Sequence, residues 1–178
     1  GYRRHLEQLG GEQLCMIGYS DSAKDGGYLA ANWQLYDAQQ RLSSLADRYG
    51  VSVVFFHGRG GSLGRGGGPA ARAVLSLPPG SVRGRLRITE QGEVVSERYS
   101  DAPVAHRHLE QLLWATMLVS SGLAEPPEPD WTARLARAAE AGFRAYRELI
   151  EDPAFPDYFR HATPIDVIES LPIGSRPS

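Results

Sequence analysis

The chain has 178 residues, 42% of them apolar, with a formal net charge of −2 and one cysteine. That length suits a single domain with an ordinary core, and the charge balance carries no bulk basic footprint for nucleic acid. Cys15 alone cannot build a disulfide framework or a cysteine metal centre, no apolar run approaches the roughly 18 residues of a membrane helix, and no signal-peptide pattern opens the chain, so a soluble, cytoplasmic protein is expected.

Gly1 to Leu9 has helix-compatible spacing without a clear N-cap, and Gly10-Gly11 should break it. Leu14–Tyr19 is continuously apolar and predicts a buried strand, with Cys15 inside it as a structural thiol. Ser20, Asp21 and Ser22 then offer capping side chains. From about Asp25 to Tyr49, the positions Leu29, Trp33, Tyr36, Leu42, Leu45 and Tyr49 recur at helical spacing, and Gly50 stands where a C′ residue is expected. Val51–Phe56 is rich in β-branched and aromatic residues and predicts a second strand. Strand, long helix and strand form a βαβ unit, which requires parallel strands and a right-handed crossover.

Pro69–Leu77 predicts a short helix stopped by Pro78-Pro79-Gly80. Leu86–Thr89 and Val94-Val95 suggest short strands. Helix is expected from about Pro103 to Ser120, and EPPEP (125–129) forms a turn or rigid spacer. Trp131–Ile150 is amphipathic, with Trp131, Leu135, Ala138, Phe143, Tyr146 and Leu149 as its expected buried stripe. Pro153, Pro156 and Pro164 divide the remainder into short helical pieces. No internal repeat is present.

Two polar clusters, SDSAKDGG (20–27) and HGRGGSLGRGG (57–67), each follow a strand directly. In a parallel sheet or barrel they share the C-terminal edge, where α/β folds place ligands and catalysis. Arg59 and Arg65 stand among glycines, whose backbone N–H groups can form an anion nest, and two guanidinium forks suit phosphate or carboxylate. A flexible linker or an RGG-type segment has the same composition, but both favour longer low-complexity surroundings. The Walker pattern is excluded because Arg65-Gly66 follows Gly64.

Asp21 can act as one ligand of a hard cation such as Mg²⁺ or Mn²⁺, or can simply cap a helix. Lys24 is the only lysine among nineteen basic residues. It can neutralise an anionic substrate or be a solvated helix-start residue. His57 can hydrogen-bond a substrate or move a proton, or serve the strand end structurally. His5, His106, His108 and His161 share no metal spacing with a carboxylate and are expected at the surface. Together the residues describe a site for a small phosphate- or carboxylate-bearing anion, assisted by a metal. The alternative is a non-catalytic anion-binding module.

Four blocks, GYSDSAKDGG (18–27), FHGRGGSLGRGG (56–67), PPGSVRGRLRITEQGE (78–93) and PIGSRPS (172–178), closely resemble phosphoenolpyruvate carboxylase in identity, order and spacing. FRHATPIDVIESLPIGSRP resembles the bacterial form. The resemblance implies a helix-rich (β/α)8 TIM-type barrel, incomplete in this chain, of which residues 1–178 form a single partial catalytic domain. It implies conversion of phosphoenolpyruvate and bicarbonate to oxaloacetate and phosphate with Mg²⁺ or Mn²⁺ and without biotin, in a cytoplasmic homotetramer with no nucleic-acid or membrane partner. By matched motif positions, Asp21 resembles a metal carboxylate, Arg59 the substrate-phosphate arginine, and Arg65 the catalytic loop arginine. His57 and Lys24 resemble adjoining catalytic residues, Lys24 on the substrate side towards bicarbonate, and Arg176 a further substrate arginine. In members inhibited by aspartate or malate, the arginine matched by Arg65 also binds the inhibitor. A second metal carboxylate, a catalytic histidine and further arginines of the family have no counterpart here. The chain is therefore expected to be an internal piece of the enzyme, inactive in isolation.

Overall fold

A computed structural model describes residues 2–58, 70–90, 92–123 and 126–171. Helix α1 (Tyr2–Gln8) leads into strand β1 (Glu12–Gly18) through Gly10 and Gly11, both at positive φ (67° and 77°), where a side chain would be strained. The Tyr2 hydroxyl donates to Gln13 Oε1 at 2.9 Å and ties the helix to the strand.

The expected single long helix is two helices, α2 (Ser20–Gly26) and α3 (Tyr28–Arg48). The break is Gly27, at φ 77° and ψ 163°, a backbone state open essentially to glycine alone. At the other end of α3, Gly50 has φ 65° and the amide of Val51 donates to the Ala46 carbonyl at 2.9 Å, closing the helix as the sequence predicts. Strand β2 (Ser52–Gly58) follows and runs two residues past Phe56, so His57 and Gly58 belong to the strand. Then come α4 (Ala70–Leu75), β3 (Arg87–Ile88), α5 (Gly92–Tyr99), α6 (Ala102–Ser120), α7 (Pro129–Ile150), α8 (Phe155–Ala162) and α9 (Ile165–Ser170).

The described residues thus make a helix-rich α/β structure around a three-stranded parallel sheet of order β1-β2-β3. No closed barrel is present among them. Cys15 stands opposite Phe55, Ile17 opposite His57 and Gly18 opposite Gly58; β3 joins with Phe56 opposite Arg87 and His57 opposite Ile88. Alternation along the strands puts Ile17, Phe55 and His57 on the covered face. Leu14 and Met16 lie on the opposite face, where Met16 is 68% exposed and the Arg87 guanidinium sits 4.9 Å from the Phe56 ring centre. Cys15 is half-buried rather than enclosed.

The main apolar cluster lies away from the sheet, between α4, α6 and the segment joining α4 to β3. It consists of Ala71, Val74, Leu77, Val82, Ala115 and Val119, flanked by Leu75, Leu86 and Leu112. Asp101 caps α6, its Oδ1 accepting from the Val104 amide at 3.1 Å.

Three expectations are corrected. Val94 and Val95 lie in helix α5, not in a strand; Gly92 begins the helix and the β-branched pair is outvoted by its surroundings. On α3 the buried positions are Ala30, Ala31, Gln39, Ser43 and Ala46, while Leu29, Leu42, Leu45 and Tyr49 are exposed. Small side chains let a helix sit close to β2 and α7, so the narrow face turns inward and the large residues outward. On α7 only Ala139 is fully buried, with Phe143 and Tyr146 partly covered; Trp131, Leu135, Ala138 and Leu149 are exposed. The covered stripe is offset from the expected one, because the apolar residues alone do not set which side of the helix meets α3.

Candidate active site

The register of β1 and β2 brings Gly18 and Gly58 side by side, so both chain segments leave the sheet at the same edge. A Cβ on Gly58 would lie 3.2 Å from the Ile17 carbonyl oxygen, tighter than ordinary contact, so glycine permits this close approach of the two strands. β1 continues through Tyr19 into α2, which carries Asp21 in its first turn and Lys24 one turn later. Three of the sequence-derived site residues, Asp21, Lys24 and His57, therefore gather at one sheet edge. Arg59, Arg65 and Arg176 lie outside the described residues.

His57 is 3% exposed. Its Nδ1 is 2.7 Å from the Tyr19 hydroxyl, and the two rings stack with centroids 6.0 Å apart. Which atom donates depends on the imidazole tautomer; either way the contact helps hold the ring. The His57 carbonyl accepts from both the amide (3.0 Å) and the hydroxyl (3.3 Å) of Thr89, so β3 holds the same residue from its other side. The sequence reading left His57 open between structural and catalytic service. Its geometry is that of a held imidazole.

Asp21 and Lys24 contrast with it. Asp21 Oδ1 and Lys24 Nζ are 3.7 Å apart, with side chains 89% and 76% exposed. Neither is consumed by the fold. Asp21 does not cap α2: its N-cap residue is Tyr19, without a side-chain capping bond, and Ser22 Oγ donates instead to the Gly18 carbonyl at 2.9 Å. Asp21 therefore does not serve as the α2 cap. Among the described residues no three His, Cys, Asp or Glu side chains cluster as a metal site. Asp21 offers an accessible hard oxygen donor on α2, as does Asp25 one turn later, and one such carboxylate suits a divalent cation whose remaining positions are filled by water or substrate oxygens.

A second constellation went unnoticed in the sequence. Glu90 follows β3 and is mostly buried; it accepts from Arg98 Nη1 at 2.5 Å and from the Tyr99 hydroxyl at 2.9 Å. His108 Nε2 lies 3.7 Å from the same carboxylate, and its ring meets Tyr99 edge-on. Burial, then the bond to Glu90, push the Tyr99 hydroxyl up to about 12. The expectation that His108 is a surface residue is corrected: its side chain is 14% exposed, and its buried Nε2 makes no hydrogen bond among the described residues. The reason is that α5 folds Tyr99 back over α6. The one available signal was Glu90 itself, a carboxylate just beyond the short strand Arg87–Ile88.

Comparison with known proteins agrees over the full length. A family model described as phosphoenolpyruvate carboxylase matches residues 1–178. The chain is 49% identical over 178 residues to the phosphoenolpyruvate carboxylase of Roseiflexus castenholzii, covering 99% of this chain and 19% of that protein. It is 51% identical over 173 residues to that of Thermus thermophilus, covering 97% and 20%, and 50% identical over 179 residues to that of Xanthomonas euvesicatoria pv. vesicatoria, covering 99% and 20%. The chain spans about a fifth of the length of these relatives.

Proposed function

Since the chain belongs to the phosphoenolpyruvate carboxylase family, we propose that it supplies part of the active site of an enzyme converting phosphoenolpyruvate and bicarbonate to oxaloacetate and phosphate. The observation that supports this reading is that the segments carrying accessible Asp21 and Lys24 and held His57 leave adjacent parallel strands at the same C-terminal edge. That edge is where α/β sheets bind anionic ligands.

In this reading Arg59 holds the substrate phosphate, Arg176 is a further substrate-binding arginine, and Arg65 is catalytic. Lys24 neutralises bicarbonate. A bicarbonate oxygen attacks phosphorus and the enol C–O–P bridge opens at phosphorus, giving carboxyphosphate and the enolate of pyruvate. Carboxyphosphate releases carbon dioxide and phosphate, and the enolate carbon takes up the carbon dioxide. The arginines and Lys24 stabilise charge that grows on phosphoryl and enolate oxygens. His57, steadied by Tyr19, hydrogen-bonds the reacting oxygens. Asp21 would hold Mg²⁺ or Mn²⁺, whose contribution when bound is to polarise the substrate oxygens. Biotin has no part in this chemistry.

The finer features follow the same premise. The three strands are a sector of a TIM-type barrel. Support comes from the exposed face of Leu14 and Met16 and from β1 and β3 standing as sheet edges. Residues 1–178 form one partial catalytic domain, and the second metal carboxylate and further arginines come from sequence outside them. The assembled enzyme is a cytoplasmic homotetramer in which aspartate or malate inhibits at Arg65. No helix among the described residues is long and apolar enough to cross a membrane.

The test is Asp21→Asn in the complete polypeptide that carries these residues. Turnover should fall about a hundredfold, with less loss of phosphoenolpyruvate binding. Unchanged turnover would overturn the assignment of Asp21. A polypeptide that binds phosphoenolpyruvate but never turns it over would instead be an anion-binding module.

A further inference from the structure

Helix α2 carries two proposed site residues but is poorly anchored by its own sequence. It has seven residues, no side-chain N-cap, and ends at the Gly26-Gly27 break before α3. A helix this short is marginal without tertiary support. The support comes from 122 residues away, near the C-terminal end of α7. The Tyr146 hydroxyl donates to the Lys24 carbonyl at 2.6 Å, and Arg147 Nη1 reaches the Asp25 carbonyl at 3.4 Å. The Tyr146 ring lies over Gly27: a Cβ there would stand 3.0 Å from Tyr146 Cγ and 3.1 Å from its Cβ. Phe143 covers Gly26 in the same way, at 3.5 Å from the equivalent point.

We infer that Tyr146 is a positioning residue for the α2 catalytic segment, clamping the Gly27 hinge so that Lys24 and Asp21 face the sheet edge in one register. This rests on the function proposed above for that edge. The hydroxyl takes up one of the α2 carbonyls left open at a helix end, and the ring blocks rotation about the only glycine-specific backbone position between α2 and α3. Tyr146 touches neither substrate nor metal; it acts through Lys24 and Asp21. Apart from its carbonyl contact to α2, Arg147 also pairs with Glu151 on its own helix, so the tyrosine is the more specific member of the clamp.

Tyr146→Phe in the complete polypeptide removes the hydroxyl and keeps the ring. The inference expects amide hydrogen exchange across residues 23–27 to quicken, and kcat per folded molecule to fall, each by about tenfold, the worth of one hydrogen bond. Gly27→Ala, which forces the ring away, should lower kcat at least as far. Arg144→Ala, on the same helix but paired only with Glu140 at 3.7 Å, should change neither readout. A merely structural role would reduce the melting temperature or the folded fraction while leaving kcat per folded molecule intact, and that result overturns the inference. So does wild-type exchange in α2. If the unmutated polypeptide does not carboxylate phosphoenolpyruvate, the functional reading fails instead, and unchanged exchange in Tyr146→Phe would still separately refute the clamp.

Discussion

His57 and Tyr99 are two side chains held by specific neighbours. His57 is enclosed between Tyr19 and the Thr89 contacts to its own carbonyl. Tyr19→Phe takes away the 2.7 Å contact to Nδ1. Turnover per folded molecule of the complete polypeptide should drop about tenfold, whereas a purely structural histidine would lower only the folded fraction. Tyr99 gives a prediction independent of catalysis. Its hydroxyl is pushed up to about 12 from 10.0, first by burial and then by Glu90. The folded protein therefore holds this proton more tightly than the unfolded chain does. The resulting stability is complete below the unfolded value of 10.0, and is lost as pH rises towards about 12. Denaturant melts at about pH 9 and about pH 11 should show that loss, and Tyr99→Phe should shrink it.

Among the elements, the interrupted helix between β1 and β2 is the most informative. Gly27→Ala places a side chain at φ 77° and against the Tyr146 ring, and should cost about 1–3 kcal/mol in unfolding free energy. Val74→Ala, at 1% exposure in the α4–α6 cluster, should cost about 2 kcal/mol, read from the shift in denaturant midpoint at constant slope. Much of this level was legible in the sequence. Apolar runs marked β1 and β2, Gly50 marked the end of α3, and the βαβ order required the parallel pairing that is observed. What was not legible came from tertiary choice. Nothing local tells that SDSAKDGG winds its own helix, or that Gly27 is bent by a tyrosine 119 residues on. Nor does periodicity reveal that α3 turns its alanines inward, because the sequence pattern scores large apolar residues and close packing on a sheet favours small ones. The clustering of Asp21, Lys24 and His57 was legible because it follows from strand order alone. The Glu90 cluster was not, since it needs the path of α5 and α6.

Taken as a whole, the described residues present several large apolar side chains to solvent around a small core. Met16 on the sheet, and Leu113 and Met117 on α6, each exceed 60% exposure. β1 stands at a sheet edge, and exposed edges and faces of this kind call for partners. The relatives, about five times longer, give the proposed reading a source for those partners within one polypeptide. The account predicts that the three-stranded sheet is a sector of a larger parallel assembly, and that the site at its edge is completed by residues beyond the 178. Its central claim is tested most directly by measuring oxaloacetate and phosphate together in the complete polypeptide. The account predicts equal amounts of both, formed only when phosphoenolpyruvate, bicarbonate and a divalent cation are all present, and almost none after Arg65→Ala. Phosphate released without bicarbonate, or full activity in Arg65→Ala, would contradict it.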